Sequence, residues 1–320
     1  MKKTLLLASI AAAFTTPAMA ENTIYGDFRA SVLTGDMAGA TDSAFVNNAS
    51  RIGIKGSQGE GDLKAIYHIE MGANNDAATT PLTSRFYFAG LQGSMGKLIY
   101  GRLSTPYKMT GVKQDPFYDT SAGTANGGSN YGSSNLINGF SENSFAYYSP
   151  KMGGLTFNAS YSMSETAGVD AGAGVGVEYA AGGMKFGVNH MMLDKNGTTP
   201  VAGSANIDSA TRVYAGANMG ALNVNLSYEM LDDAGDTTLT QINATYNATK
   251  SMKLAASYGM VDSDNAAATG RHADGDNITV GAFYNVLPKT TVHALYTNTD
   301  FTSAAQTDRD GVALGVKQAF

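Results

Sequence analysis

Apolar and polar residues alternate along most of the chain, so that every second side chain belongs to one face. This period of two is typical of a half-buried β-strand, in which successive side chains point to opposite sides. The clearest apolar stripes are Leu222, Val224, Leu226, Tyr228 and Met230; Met252, Leu254, Ala256, Tyr258 and Met260; and Ile278, Val280, Ala282 and Tyr284. Several stripes end in tyrosine, an amphipathic side chain suited to the boundary between hydrocarbon and lipid headgroups.

The last strand has the same pattern and ends in an aromatic residue. One face carries Val312, Leu314, Val316 and Phe320, and the other carries Arg309, Gly311, Ala313, Gly315 and Lys317. A strand of about ten to twelve residues with one apolar face crosses a bilayer only in a closed barrel, where every backbone polar group is paired. The sequence therefore predicts an all-β fold, a transmembrane antiparallel β-barrel.

About sixteen strands are predicted, and their connections alternate in length. Short turns are predicted at 58–61, 93–96, 150–153, 181–183, 219–221, 249–251 and 287–289, and longer polar loops near 34–48, 74–83, 165–174, 195–208, 232–237, 262–276 and 300–308. Short turns on one side and long loops on the other are typical of an outer-membrane barrel whose short side is periplasmic. Both termini then lie on the periplasmic side, which requires an even number of strands.

Residues 1–20 have the features of a secretory signal peptide. Lys2 and Lys3 precede an apolar run, and small residues follow Pro17. Cleavage is predicted between Ala20 and Glu21, which leaves a mature barrel of residues 21–320. The mature part has no run of about 18 apolar residues, so no membrane-spanning helix is predicted.

Composition narrows the choice of partners. The net charge is −6 at pH 7, and no nucleic-acid partner is predicted because such a partner would need a basic face. Cysteine is absent, which excludes a disulfide framework and a thiolate site. Abundant glycine, with 38 residues, fits a wet inner face and polar loops.

The longest connection lies between strand five, which ends near Leu103, and strand six, which begins near Asn143. A connection of that length is either functional or disordered. Packing residues favour a functional segment, namely Pro106, Tyr107, Pro116, Phe117, Tyr118 and Tyr131. We therefore expect it to be an ordered third loop.

Charged residues suggest what this loop does. Its carboxylates are Asp115 and Asp119, and basic residues expected to face the interior from the first five strands are Arg29, Arg51, Lys55, Lys64, Arg85 and Arg102. Acids on an inward loop opposite a basic wall would create a transverse field that tunes ion passage. The alternative is that the arginines pair along the wall with neighbours such as Asp27 and Glu70. Arg102 is predicted to face the interior because it lies on the strand face opposite Ile99 and Gly101, which are expected to meet lipid.

Other chemistry is sparse. The histidines at positions 68, 190, 272 and 293 lack the close spacing of a metal site, so no metal and no cofactor is predicted. No residue is marked as a nucleophile beside a histidine, so no enzyme is predicted. The acidic clusters at 232–236 and 262–264 are interpreted as solvated loops, with divalent cations that bridge lipopolysaccharide as the alternative.

Several segments resemble, in the same order, the general diffusion porins of Gram-negative bacteria. They are Ile24-Tyr25-Gly26, SRIGIKG at 50–56, LKAIYHIE at 63–70, Gly101-Arg102-Leu103, NSFAYYSP at 143–150, YNVLPKTT at 284–291 and the last strand. The resemblance covers the whole mature chain. It implies a sixteen-stranded barrel, usually a trimer, whose third extracellular loop folds into the lumen and narrows it. The third loop lacks the acidic signature of the enterobacterial branch, and Ser141 or Glu142 stands where an arginine often precedes the Asn-Ser pair.

The expected function is a passive outer-membrane channel for small hydrophilic solutes and ions. Expected partners are two further copies of the chain, outer-membrane lipid and lipopolysaccharide, and the barrel assembly machinery, which would read Phe320. Small and apolar outward residues of the first and last strands, such as Ile24, Ala30, Val312 and Leu314, would suit a homotrimer interface. The alternatives are a substrate-selective porin, with a row of aromatic or basic residues along its lumen, and a structural or adhesive barrel.

Overall fold

The computed structural model describes residues 20–38, 42–59, 61–74, 81–124, 130–194, 201, 203–204, 206–304 and 306–320. The predicted leader lies outside these residues, apart from Ala20 at the start of the first strand. Within the described residues, seventeen strands form one antiparallel sheet. They are β1 (Ala20–Thr34), β2 (Ser43–Asn47), β3 (Arg51–Gln58), β4 (Lys64–Ala73), β5 (Leu82–Gly93), β6 (Gly96–Leu103), β7 (Ser141–Tyr148), β8 (Leu155–Ser162), β9 (Gly172–Ala181), β10 (Met184–Met192), β11 (Ser209–Met219), β12 (Leu222–Asp232), β13 (Thr238–Asn247), β14 (Met252–Asp262), β15 (Gly275–Leu287), β16 (Thr290–Phe301) and β17 (Arg309–Ala319).

The sheet closes on itself. Strand β1 pairs with β17, with Arg29 opposite Lys317, and on its other edge with β3, with Asp27 opposite Arg51. Strand β2 pairs with the later part of β1, so β2 and β3 are two segments of one barrel strand. The break between them contains Ala49, whose φ of 59° is in the left-handed region. The barrel therefore has sixteen strand positions, which confirms the predicted number.

The prediction of an uninterrupted loop at 34–48 was wrong, because β2 lies within it. The segment is short and is set apart from β3 by a local break in the ladder. Its strand conformation depends on backbone pairing with β1, a non-local contact that a search for long alternating segments overlooks.

The predicted apolar stripes lie on the outer surface. Leu226, Tyr228 and Met230 are exposed there, and so are the strongest apolar residues of β14 and β15. The last strand agrees, because Val312, Leu314 and Val316 are exposed while Ala313 is buried. This alternation places the polar face of each strand toward the barrel interior.

The prediction that Ile99 faces lipid was wrong. Ile99 is only 4% exposed and packs with Leu103 and Ala146, whereas Leu98 and Tyr100 are exposed on the outer surface. The ladder between β6 and β7 shifts between Gly101 and Leu103, and Gly101 has a φ of 128°. Ile99 lies before this shift in a regular part of the ladder, and the extra residue belongs to β7. Because Leu98, Ile99 and Tyr100 put apolar side chains on both faces of β6, alternation alone does not identify the outer face.

Short helical pieces lie in the connections. Two α-helices, α1 (Pro106–Val112) and α2 (Ser121–Thr124), belong to the segment after β6. Single 3-10 turns cover Asp36–Ala38, Asn135–Ile137 and Gly270–His272. None of the helices in the described part of the chain is long and apolar enough to cross a membrane.

Helix α1 begins at a recognisable sequence signal. The hydroxyl of Thr105 accepts a hydrogen bond of 3.1 Å from the backbone N–H of Lys108, and Pro106 occupies the first turn. An N-cap threonine followed by proline is a strong start signal for a helix. The signal is present in the sequence, although no helix was predicted there.

Candidate functional site

The segment between β6 and β7, residues 104–140, is called the long loop from here on. Its described side chains contact β1 and β3 at one place and β11 and β12 at another. These two pairs of strands are separated by β4–β10 in one direction around the barrel and by β13–β17 in the other. The long loop therefore contacts opposite walls.

Asp119 is the contact with the first wall. One of its oxygens, Oδ2, accepts a hydrogen bond from Arg29 and another of 2.6 Å from Arg51. Asp119 itself has a φ of 61°, a conformation that aspartate and asparagine adopt more readily than most other residues. The sequence placed Asp119 opposite the basic wall, and the structure brings it together with two of the six predicted bases.

The wall pairs named as the alternative are also present. Arg29 Nε lies 2.6 Å from Asp27 Oδ1, and Arg85 Nε lies 2.6 Å from Glu70 Oε1. Glu70 is buried, and it also accepts a hydrogen bond of 2.6 Å from the Tyr25 hydroxyl. Arg29 thus pairs both with Asp119 of the long loop and with Asp27 of the wall, whereas Arg85 pairs with Glu70 of the wall.

The other predicted bases lie elsewhere. Arg102 forms an ion pair with Glu142 and donates a hydrogen bond of 3.1 Å to the Arg85 carbonyl, and none of its contacts within the described residues involves the loop segment that carries Asp115 and Asp119. Lys55 Nζ lies 5.4 Å from the centre of the Tyr25 ring. Lys64 is exposed at the start of β4, beside a short turn.

Asp115 has a local role in the long loop. Its Oδ1 accepts a hydrogen bond of 2.8 Å from the backbone N–H of Phe117, as aspartate often does in turns. Burial lowers the pKa of Arg271 to about 10, and Tyr118 and Asp115 nearby oppose that effect. Asp115 therefore lies near Arg271, a base that was not among the predicted site residues.

The second wall contact is a buried network that the sequence did not predict. Arg212 Nη2 lies 2.9 Å from Glu229 Oε2, and both side chains are almost inaccessible to solvent. Tyr107 donates a hydrogen bond of 2.7 Å to Glu229, and its own carbonyl accepts one of 3.0 Å from Arg212. Ser134, at the far end of the long loop, also donates to Glu229 through its N–H and its hydroxyl. Both ends of the long loop are thereby fixed to β11 and β12.

Lys108 is a further base in the long loop. Its ammonium donates hydrogen bonds of 2.9 Å to the carbonyls of Asn138 and Gly139, and it lies 4.1 Å from the centre of the Phe140 ring. The guanidinium groups of Arg85 and Arg102 lie 5.1 and 5.2 Å from the same ring. Burial, followed by repulsion from Arg85, lowers the pKa of Lys108 to about 7.

Metal-binding side chains do not cluster. Among the residues that the structure describes, no group of three or more histidine, cysteine, aspartate or glutamate side chains has a geometry that could hold a metal ion. His272 Nδ1 lies 3.9 Å from Asp233 Oδ2, and this ion pair contains no second carboxylate. Burial lowers the pKa of His272.

Comparison with known proteins agrees with this geometry. Residues 7–320 match the family model for Gram-negative porins. An outer membrane porin protein of Bordetella pertussis is 30% identical over 308 residues, which cover 86% of this chain and 70% of the relative. The major outer membrane protein P.IB of Neisseria meningitidis serogroup B is 33% identical over 178 residues; this match covers 52% of the chain and spans about half, 51%, of that relative.

A solved structure has the same fold. The anion-selective porin from Comamonas acidovorans superimposes with a TM-score of 0.76 at 19% identity, over 94% of this chain and 100% of that chain. The closed barrel of sixteen strand positions, with apolar stripes on its outer surface, agrees with this family match. The chain therefore belongs to the Gram-negative porin family and is an outer-membrane β-barrel protein.

Proposed function

We propose that this protein is a passive diffusion channel for small hydrophilic solutes and ions, narrowed by the long loop. The observation that carries the proposal is the contact of Asp119 with Arg29 and Arg51. An acid of the long loop reaches two bases on the inner face of β1 and β3, while the same loop is fixed to β11 and β12 by Tyr107. A segment held at both places crosses the interior and reduces the opening.

The charged residues around the place where the long loop crosses the barrel interior favour anions. Asp119 and Asp27 offset Arg29 and Arg51, and Glu70 offsets Arg85. Further bases line the same region, namely Lys108, Lys253 and Lys317, and among the described residues none of them forms an ion pair. Excess positive charge at a constriction raises the local concentration of anions. We infer a preference for anions, the property that the name of the Comamonas relative states for that protein.

Reversal potentials in planar bilayers test this proposal. The purified protein in a KCl gradient should conduct and should give a potential of the sign that indicates anion preference. Asp119→Asn should increase that preference, because the amide removes a negative charge while asparagine still accepts a positive φ. A cation preference in the unaltered protein would contradict the proposed charge balance.

Asp115→Asn is the matched control. It removes the same charge from the same loop, and an asparagine oxygen can still accept the hydrogen bond from Phe117. Because Asp115 does not bridge the wall arginines, its replacement should shift the reversal potential less than Asp119→Asn does. Equal shifts would indicate a general effect of loop charge and would reject a specific constriction at Asp119.

We further propose that three copies assemble side by side. The outer surface between β1 and β15–β17 has a shallow apolar groove with small residues at Ala30, Ala294 and Gly315, and Leu314 beside it is 62% exposed. Small residues permit close approach of a neighbouring wall. Lipopolysaccharide and the barrel assembly machinery are the remaining proposed partners.

Crosslinking in mild detergent tests the assembly. Three linked chains are expected for the unaltered protein. Leu314→Asn should weaken the trimer, whereas Leu226→Asn, which changes an exposed leucine of β12, should not. A monomer that retains full conductance would contradict the proposal.

A further inference from the structure

A cavity of about 370 Å³ lies between the long loop and the opposing barrel wall. Pro116, Tyr118 and Asp119 form the side that belongs to the long loop, and inward side chains of β14, β15 and β17 form the other. The connection that borders it, 248–251, is a short turn, and so is 288–289 between the strands that supply Asn285 and Thr291 to its lining. The cavity therefore lies toward the periplasmic end. Its volume falls within the range of small-molecule sites, about 300–1,000 Å³.

The wall of this cavity carries an excess of positive charge. Lys250, Lys253 and Lys317 line it, and within the described residues none of these ammonium groups forms an ion pair. Lys317 lies directly opposite Arg29 in the ladder between β17 and β1. Asp27 and Asp119 pair with Arg29, so the uncompensated positive charge of this wall is carried by the three lysines, and that charge favours a negatively charged occupant. Asp119 offsets these lysines only in part, because its ion pairs are with Arg29 and Arg51.

Aromatic surface lies beside these charges. Lys253 Nζ is 4.3 Å from the centre of the Phe283 ring, and that ring also packs at 5.9 Å from Phe117 of the long loop. Tyr118 lines the cavity from the other side. A site with both ammonium groups and ring faces suits an anion that also has a flat apolar part, because each part of such a molecule finds its complement.

We propose that this cavity binds small aromatic carboxylates, with the carboxylate between Lys253 and Lys317 and the ring against Phe283 and Tyr118. The proposal rests on the channel function, since the ligand reaches the cavity through the lumen. Such a site would make the channel selective among organic solutes, which is the behaviour of a substrate-selective porin. The proposed occupant is a monocarboxylate such as benzoate.

Three probes separate the parts of the site. Benzoate, acetate and benzyl alcohol are added in turn to the face with the short turns while conductance in KCl is recorded. Benzoate should reduce the current with saturation, and acetate and benzyl alcohol should each be about tenfold weaker, since each lacks one of the two contacts. Equal effects of benzoate and acetate would overturn the proposal.

Variants locate the effect. Lys253→Gln and Lys317→Gln should each lower the benzoate affinity about tenfold, a loss typical of removing one charge-assisted contact. Lys185→Gln is the matched control, because Lys185 lines a different cavity, bordered by β9–β12. Phe283→Leu should weaken benzoate and leave the weak acetate effect unchanged. An equal loss in Lys185→Gln would overturn the assignment.

Calorimetric titration of the folded protein in detergent measures binding without relying on current. Benzoate heat that saturates in the unaltered protein and is lost in Lys253→Gln supports the site. A protein that conducts KCl but gives neither block nor heat with benzoate disproves this site and leaves the channel intact. A protein that fails to conduct KCl disproves the channel itself, and titration then still decides whether the cavity binds benzoate.

Discussion

Arg212 and Glu229 face each other directly across the β11–β12 ladder and form an ion pair of 2.9 Å between Nη2 and Oε2, with side chains that are 0% and 1% exposed. Charged groups without water are costly unless they are paired and hydrogen-bonded. Here Tyr107 and Ser134 of the long loop supply the additional donors to Glu229. The position of the long loop and the burial of this pair therefore depend on each other.

Removing the charge of Glu229 should destabilise the protein strongly. Glu229→Gln leaves Arg212 buried without its counter-charge, a change that typically costs about 3–5 kcal/mol. We expect a lower midpoint for thermal unfolding in detergent, together with a larger and noisier conductance because the long loop loses an attachment. Circular dichroism melting and single-channel recording measure the two effects.

Glu178→Gln serves as the control for that experiment. Glu178 accepts a hydrogen bond of 3.0 Å from the Tyr214 hydroxyl but is only partly buried and, among the described residues, pairs with no arginine. Its replacement should change the midpoint by much less. Equal unfolding midpoints for the two variants would show that the Arg212–Glu229 pair does not fix the long loop to the barrel wall.

The pKa of Lys108 predicts a pH-dependent selectivity. Burial lowers this pKa from 10.5 to about 7, so the side chain gains its charge as the pH falls through about 7. The added positive charge should increase anion preference between about pH 8 and pH 6. The charged groups that act on Lys108 are Arg85 of β5, Asp119 of the long loop, Arg51 of β3 and Arg102 of β6.

The free energy of unfolding should also depend on pH through Lys108. The unfolded chain binds a proton at Lys108 that the folded protein lacks between about pH 7 and 10.5, so stability rises with pH in that interval. Lys108→Met removes both effects, because it removes the titrating ammonium group. A reversal potential with the same pH dependence in Lys108→Met would reject the assignment.

Phe320 is expected to support assembly. Its N–H donates a hydrogen bond of 3.0 Å to the Gly26 carbonyl where β17 meets β1, and its ring lies 6.0 Å from the Phe28 ring on the outer surface. Deletion of Phe320 should sharply lower the amount of folded barrel in the outer membrane while export continues. Phe320→Tyr, which keeps the backbone bond and the ring, should assemble normally. Equal amounts of folded barrel in the deletion variant would contradict this role.

Much of the fold could be predicted from local pattern. The short turn at Gly220 lies where the alternation of β11 and β12 is interrupted, and apolar stripes such as Leu226 and Tyr228 follow from a period of two. Tight turns and outward faces are local properties, so the residues themselves specify them. Errors occurred in β6, where apolar residues occupy both faces, and at the break in the ladder around Ala49.

The site was harder to predict because it depends on contacts that are distant in sequence. Asp119 contacts two arginines of the predicted basic wall, but the choice of Arg29 and Arg51 over Arg102 depends on strand register and on the path of the long loop. Arg212 and Glu229 are equally distant from the Gly220-Ala221 turn, so the predicted hairpin could have identified them as a cross-strand pair. Their burial, by contrast, requires the long loop, which local pattern does not position.

We propose that Asp119 of the long loop lies at the narrowest part of the lumen, against the arginines of β1 and β3. The chain has no cysteine, so Asp119→Cys introduces a single thiol that a bulky methanethiosulfonate reagent can modify during single-channel recording. Modification should strongly reduce the conductance, whereas the same reaction in Lys64→Cys, at the rim beside a short turn, should reduce it little. Mass spectrometry establishes that the thiol has reacted. A fully modified Asp119→Cys protein with unchanged conductance would contradict the account.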